Sequence, residues 1–271
     1  MNRLLALPAL VTKRGRYVLG LRHPRLRRLW RPLSPLRALH TRRNERIGAA
    51  FVLRYGATVR RGPFAGLEFP TSGPDGARFH VSMLLGSFES ELHPLLARVL
   101  ERPRSEAVNI GSGSGYYAVG LARAWPEAVV HAFEELPGRR AATAELARVN
   151  RVAGRVRVHG RCDADALRAL DLTAPFILCD CEGCEVDVLD PQAVSFLDSA
   201  TLLVELHELE RPGSSAILAR FAATHERTLI DSRPKSASDF GELEDFPPRQ
   251  AAVAVAEPRL GRTQWAYLVP R

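Results

Sequence analysis

Val108-Asn109-Ile110-Gly111-Ser112-Gly113-Ser114-Gly115-Tyr116-Tyr117 is the most informative stretch of this chain. A short apolar run passes into a turn with three alternating glycines, and the turn is followed by a segment with helical periodicity. Glycines let a backbone approach a ligand without a Cβ clash, and open α/β sheets bind ligands beyond the carboxyl ends of their strands. The stretch therefore predicts a strand, a ligand-binding turn and a helix, with a merely tight strand-to-helix turn as the alternative.

The same alternation of short apolar runs and longer amphipathic segments continues on both sides of this stretch. It predicts strands at residues 107–110, 128–133, 156–159, 176–179 and 202–206, and helices at residues 116–124, 139–149 and 164–170. A helix at 214–223 and strands near 228–230 and 264–269 can complete the sheet. Such alternation is typical of a mostly parallel α/β sheet with helices on both faces.

Three regions are predicted from the distribution of charge and turn residues. Residues 1–46 hold thirteen Lys or Arg and one acid, a net charge of +12, which leaves −4 for the rest of a chain whose total is +8. We expect a basic N-terminal extension over 1–46, broken into short pieces by its prolines. A hairpin and helix region over 47–104 and the main domain over 105–271 follow. The extension could contact nucleic acid, an anionic membrane surface or a partner protein, or be a solvated arm.

Length and composition exclude collagen-like, mucin-like and wholly disordered proteins, and they argue against a transmembrane protein. The 271 residues are 46% hydrophobic and 25% charged, as in ordinary soluble globular proteins. No run approaches the roughly 20 apolar residues that span a bilayer, and residues 4–12 make a poor secretory signal. A cytoplasmic protein is expected, and for that reason the four cysteines do not indicate disulfides. The run C-D-C-E-G-C at 179–184 resembles a metal-binding run but lacks a second Cys pair for zinc.

The glycine spacing narrows the class of ligand. A dinucleotide fingerprint would require glycine at position 116, where Tyr116 stands, and the Lys of a phosphate-binding P-loop is absent. The spacing GxGxG is instead that of S-adenosylmethionine (SAM) sites, in which no pyrophosphate has to be held. The residues expected to bind the cofactor here are Asn109, Gly111, Gly113, Gly115 and Tyr116.

Two acids complete the predicted cofactor site. Glu134 ends the second predicted strand, about 20 residues beyond the glycine turn, where a carboxylate can accept hydrogen bonds from ribose hydroxyls. Glu135 is its near rival, and a solvated loop acid is the alternative for both. Asp163 follows the third strand and could meet the adenine amino group, or it could cap the helix that begins there.

With these motifs in place, the chain resembles the class I SAM-dependent methyltransferases, and among them the FkbM-like family. The matching residues read I-L-C-Asp180-C-Glu182-Gly183-C-Glu185 and L-L-V-Glu205-L-His207-Glu208, with G-S-F-E-S-E-L upstream. The resemblance covers about residues 80–210. It implies a Rossmann-like seven-stranded sheet whose last strand is antiparallel, SAM as methyl donor and, for many relatives, an oxygen acceptor. Asn109 departs from the family, which commonly has an acid there, and G-S-G-S-G replaces the frequent G-A-N-x-G.

The expected reaction is in-line methyl transfer to a small-molecule hydroxyl acceptor such as a hydroxylated metabolite, a sugar or a glycolipid precursor. Because an alcohol must also lose a proton, Asp180, Glu182 and His207 are the predicted catalytic residues. A divalent cation held by Asp180, Glu205 and His207 is an alternative that is not expected. A polar loop at 233–239 could cover the acceptor. RNA methylation using residues 1–46 and a non-catalytic scaffold are the alternative functions, and the sequence predicts no oligomeric state.

Overall fold

The computed structural model describes residues 34–71, 81–207, 213–257 and 263–271, which form nine α-helices and seven β-strands. The helices are α1 (Ser34–Tyr55), α2 (Val81–Leu85), α3 (His93–Leu100), α4 (Tyr116–Ala124), α5 (Pro137–Val149), α6 (Ala164–Arg168), α7 (Glu185–Val188), α8 (Gly213–Arg220) and α9 (Pro248–Val255). The strands are β1 (Glu106–Ile110), β2 (Val129–Phe133), β3 (Val156–His159), β4 (Phe176–Cys179), β5 (Thr201–Leu206), β6 (His225–Asp231) and β7 (Gln264–Pro270). None of these nine helices combines the length and the apolar character needed to cross a membrane.

All seven strands belong to one sheet with the order β3-β2-β1-β4-β5-β7-β6. The pairs among β1 to β5 are parallel, whereas β7 runs antiparallel to both β5 and β6. The predicted α/β class, the seven-stranded Rossmann-like sheet and its antiparallel last strand are thereby confirmed. The strand order reverses between β1 and β4, and ligands of open α/β sheets bind in the crevice outside the carboxyl ends at such a point.

The sheet separates two apolar cores, because successive strand residues point to opposite faces. Ala107 and Leu178 face the core that includes α3, α4, α5 and α9, while Val108 and Ile177 face the core that includes α6, α7 and α8. At roughly 1.5–3 kcal/mol for each large apolar side chain removed from water, both cores contribute substantially to folding. The predicted helices on both faces are confirmed.

The described part of the basic extension is one continuous helix. Pro35 is the second residue of α1, where the missing N–H would have had no helical partner, so it does not interrupt the helix. Ile47 and Phe51 are buried, and the Phe51 ring lies 6.4 Å from that of Phe246. Because α1 passes through residue 46, it joins the end of the basic segment to the body of the protein.

The region predicted to hold a hairpin and a helix, residues 47–104, contains an antiparallel bridge between Thr58 and Glu68. Val59 N donates to Leu67 O at 2.8 Å, and the side chains of both are buried. This short pairing places Phe64 against α4, where a Cβ on Gly120 would lie 2.5 Å from its ring. The region therefore packs directly behind the glycine turn.

Candidate active site

The glycine turn after β1 is held against the ends of two neighbouring strands. Gly111 N donates to Phe133 O at 2.9 Å. A Cβ on Gly111 would lie 1.8 Å from the carbonyl oxygen of Asp180, and a Cβ on Gly115 would lie 3.0 Å from Thr143. These two glycines are therefore required by close packing of the backbone.

Gly113, in the middle of the turn, has a different environment. No atom lies within 4 Å of the position its Cβ would take, and its φ is +57°. Its N–H donates to Glu134 Oε2 at 3.0 Å, and its carbonyl accepts from Thr143 Oγ1 at 3.2 Å. The middle of the turn thus presents open backbone beside a carboxylate, as a ligand cradle requires.

Glu134 follows β2 and is 6% exposed. Its Oε1 accepts from Leu136 N at 2.8 Å while Oε2 accepts from Gly113 N. The guanidinium of Arg139 lies 3.8 Å away. Two backbone donors fix the carboxylate, and each oxygen keeps a lone pair for a further donor such as a ribose hydroxyl. The rival Glu135 has an exposed side chain.

Asn109 and Tyr116 flank the turn but are themselves buried. The amide nitrogen of Asn109 donates to Leu178 O at 3.4 Å, and its oxygen has no hydrogen-bond partner among the described residues. The Tyr116 ring makes an edge contact with Phe64 at 5.3 Å between centroids. Burial, and then the charge of Glu89, raise the pKa of Tyr116 well above its ordinary value. Contact of either residue with a cofactor stays a prediction.

Asp163 is the N-cap of α6. Its Oδ1 accepts from Ala166 N at 2.8 Å, and the residue is exposed. The neighbouring Asp165 pairs with Arg168 at 2.7 Å on the surface. The capping alternative for Asp163 is therefore present, and its contact with adenine stays a prediction.

The residues that end β4 and β5 converge on one imidazole. His207 follows β5 and its side chain is 1% exposed. Its Nδ1 lies 2.7 Å from Glu185 Oε1, and its Nε2 lies 3.2 Å from Glu205 Oε2, 3.7 Å from Asp180 Oδ1 and 3.8 Å from Glu182 Oε2. The predicted catalytic residues Asp180, Glu182 and His207 are thus brought together, and the carboxylates of Glu185 and Glu205 join them.

This crowding of carboxylates changes the proton affinities. Burial lowers the pKa of His207, but hydrogen bonds to Glu185 and Glu205 outweigh that effect and raise it to about 10. Burial, and then the charge of Glu205, raise the pKa of Asp180 well above its ordinary value. Without another cation in the cluster, the ring is therefore an imidazolium that donates to its neighbours.

Glu185 is the carboxylate of this cluster for which the sequence predicts no role. It is the first residue of α7 and is buried. Its Oε1 accepts from Cys181 N at 3.3 Å and from Gly183 N at 3.2 Å in addition to facing His207. The sequence does carry one signal for Glu185, because it is the last residue of the D-C-E-G-C-E motif. The contact itself joins residues 22 positions apart, which spacing does not reveal.

The expectation that the cysteines form no disulfide was wrong for Cys181 and Cys184, which are bonded. The turn between them has positive φ at Glu182 (60°) and Gly183 (112°) and brings the two Cα atoms to 5.5 Å, within the range of disulfides. Cys179 is a buried thiol whose sulfur lies 3.8 Å from that of Cys181. The bond closes the loop that carries Glu182, beside Asp180 and Glu185.

A second buried polar cluster connects the loop at 233–239, which is predicted to cover the acceptor, to the segment before α3. The Tyr117 hydroxyl donates to Glu89, and Glu89 N donates to Glu257 Oε1 at 2.9 Å. Lys235 Nζ lies 3.1 Å from Glu91 Oε2 and also pairs with Glu257. Residues 233–239 are therefore anchored by a salt bridge that the sequence did not indicate.

Other predictions fall largely outside the described part of the chain. Contacts of residues 1–46 with nucleic acid or a membrane concern a segment of which only residues 34–46 are described. Glu208, at the end of the second quoted motif, also lies outside the described residues. The predicted contacts of residues 1–46 therefore stay a prediction.

Comparison with known proteins found no matching family model and no matching curated protein. Several solved structures are similar to this chain. A precorrin-6Y C5,15-methyltransferase from Geobacter metallireducens has 13% identity over 65% of this chain and 87% of its own, with a TM-score of 0.43. The O-methyltransferase TomG from Streptomyces achromogenes, solved with SAM, has 17% identity over 66% and 78%, with a TM-score of 0.42. A SAM-dependent methyltransferase from Geobacter sulfurreducens, solved with S-adenosyl-L-homocysteine, has 15% identity over 67% and 91%, with a TM-score of 0.42.

Proposed function

We propose that this chain is a SAM-dependent methyltransferase of the FkbM-like kind that methylates a hydroxyl oxygen of a small acceptor. The acceptor class is a hydroxylated metabolite, a sugar or a glycolipid precursor. One observation carries the proposal. The crevice between β1 and β4 has an open glycine turn with an anchored carboxylate on one side, and on the other the group of Asp180, Glu205 and His207.

The residues on the β1 and β2 side fit the cofactor. Open space above Gly113 leaves room for a ligand against the backbone. Glu134 is an acceptor-only group held by two N–H donors, which suits the paired hydroxyls of a ribose. When bound, SAM supplies an activated methyl group on a sulfonium.

The residues on the β4 and β5 side are suited to hold the acceptor. Carboxylates of Asp180, Glu182 and Glu205 accept hydrogen bonds from acceptor hydroxyls, and alignment is the main requirement of an in-line transfer. Asp180 receives the proton of the reacting hydroxyl, because among these three acids it is the one whose backbone lies against Gly111 of the glycine turn. His207, held by Glu185, keeps the carboxylates in place.

Calorimetric titration with SAM tests the cofactor. The wild-type protein is expected to bind, and Gly113→Arg is expected to abolish binding because the side chain fills the cradle. Gly56→Arg is the matched control, since Gly56 also has a positive φ (+81°) and open space around its Cβ position but lies after α1. Circular dichroism checks that both variants fold. Unchanged binding in folded Gly113→Arg would contradict the proposal.

The acceptor class is tested by transfer of a labelled methyl group from SAM to mixed polyols and glycosides, with RNA assayed in parallel. Label in the small molecules that resists mild base, as an ether does, supports the proposal. Label in RNA alone would show that the acceptor is RNA and not a small molecule. SAM binding with no transfer to either class would favour the scaffold alternative.

A further inference from the structure

Three side chains at the ends of adjacent strands offer a compact set of metal-binding atoms. One oxygen of Asp180, one oxygen of Glu205 and one ring nitrogen of His207 all lie within 4.8 Å of one another. β4 and β5 are paired in parallel through Cys179 and Val204, so the backbones that carry the three residues are held rigidly. Two carboxylates and one imidazole form a donor set that suits divalent ions.

The histidine is oriented as metal-binding histidines are. Such residues usually hydrogen-bond through the second ring nitrogen to a carboxylate or carbonyl, which fixes the ring and directs the first nitrogen at the ion. Here Nδ1 is bound to Glu185 at 2.7 Å, which leaves Nε2 directed at Glu205 and Asp180. Glu185 is itself fixed by two backbone N–H groups, those of Cys181 and Gly183.

A separate observation concerns Asp180. Its Oδ1 is buried and has no hydrogen-bond partner among the described residues, although His207 Nε2 lies 3.7 Å away. Burial of a polar atom without a partner costs free energy, and coordination to a bound ion removes that cost. An ion between Asp180, Glu205 and His207 would supply the missing partner.

We infer that Asp180, Glu205 and His207 bind a divalent cation, with Glu185 as the residue that positions His207. Mg²⁺ and Mn²⁺ fit better than Zn²⁺ because two of the three donors are carboxylates and thiolate ligands are absent from the set. This inference deepens the proposed function, since a cation beside the acceptor can activate a hydroxyl for transfer.

Mn²⁺ binding to the full chain, measured by loss of the free-ion electron paramagnetic resonance signal, tests the site without SAM. We expect one site in the wild type. Glu205→Gln is expected to weaken it by roughly tenfold or more, and Glu185→Gln by about 10–100-fold through loss of ring orientation. Asp165→Asn, a surface carboxylate on α6, is the control and should bind like the wild type.

Circular dichroism confirms folding, and the near-isosteric Gln variants limit structural damage. Absence of Mn²⁺ binding by the folded wild type, or equal affinity in Glu205→Gln, would overturn the metal site. Titration with SAM after chelation separates the two proposals. SAM binding without Mn²⁺ binding rejects the metal and keeps the methyltransferase, whereas Mn²⁺ binding without SAM binding supports the metal and rejects the methyltransferase.

Discussion

The two sides of the crevice are built in different ways. The glycine turn is a contiguous run of backbone, in which Gly111 is packed and Gly113 is open. The carboxylate cluster is made of side chains from two strands and a helix, and Glu185 meets His207 across 22 residues. Changes on the first side should therefore act through steric fit, and changes on the second through charge and hydrogen bonding.

The largest effect is expected for Gly111→Ala. The new Cβ would lie 1.8 Å from the Asp180 carbonyl oxygen at a φ of +80°, so β1 and β4 would have to separate. We expect a loss of at least about 4 kcal/mol of unfolding free energy in urea titrations, or no folded protein. Gly56→Ala, with a similar φ and open space, should lose only about 1 kcal/mol. Equal losses in the two variants would show that steric fit is not what distinguishes Gly111.

The second-largest loss of stability is expected in the cluster of carboxylates around His207. Glu185→Ala and His207→Ala each leave a buried charged partner behind and should each cost about 3 kcal/mol in unfolding free energy. Because the two side chains contact each other, the double variant should lose less than the two single losses added together, by at least about 0.5 kcal/mol. Additive losses would mean that the 2.7 Å contact contributes nothing specific.

A smaller effect is expected for the disulfide. Cys184→Ser removes a crosslink that closes a very short loop, which corresponds to about 2 kcal/mol in the chain-entropy model. Reduction should destabilise the wild type by the same amount and leave Cys184→Ser unchanged. Thiol titration of the unfolded protein should find the two free thiols Cys162 and Cys179 before reduction. Four thiols before reduction would contradict the disulfide.

The smallest effect is expected for Asp163→Ala. Loss of its cap on α6 should cost about 1 kcal/mol. Asp165→Ala, which removes only a surface ion pair, should change stability much less. If Asp163 also meets adenine, Asp163→Asn should keep the cap and still weaken SAM binding. Unchanged SAM affinity in Asp163→Asn would leave Asp163 a cap alone.

Local pattern was sufficient for most of the fold. Strand β3 and helix α4 begin and end where periodicity predicts, because alternation and helical spacing reflect which side chains face the sheet. Glu134 and Asp180 could also be placed, since each directly follows a strand and parallel strands bring their carboxyl ends to one edge. The prolines of the basic segment predict breaks that α1 does not show, because Pro35 stands in the first turn of the helix.

The sequence by itself determined the order of strands and helices along the chain, the glycine turn and the edge of the sheet at which its acids gather. These features depend on neighbours within a few residues. Only the tertiary structure decided the Cys181–Cys184 bond, the pairing of Glu185 with His207 and the salt bridge of Lys235. Those contacts depend on loop conformation and on distances between segments far apart in the chain, and residue spacing alone does not specify them.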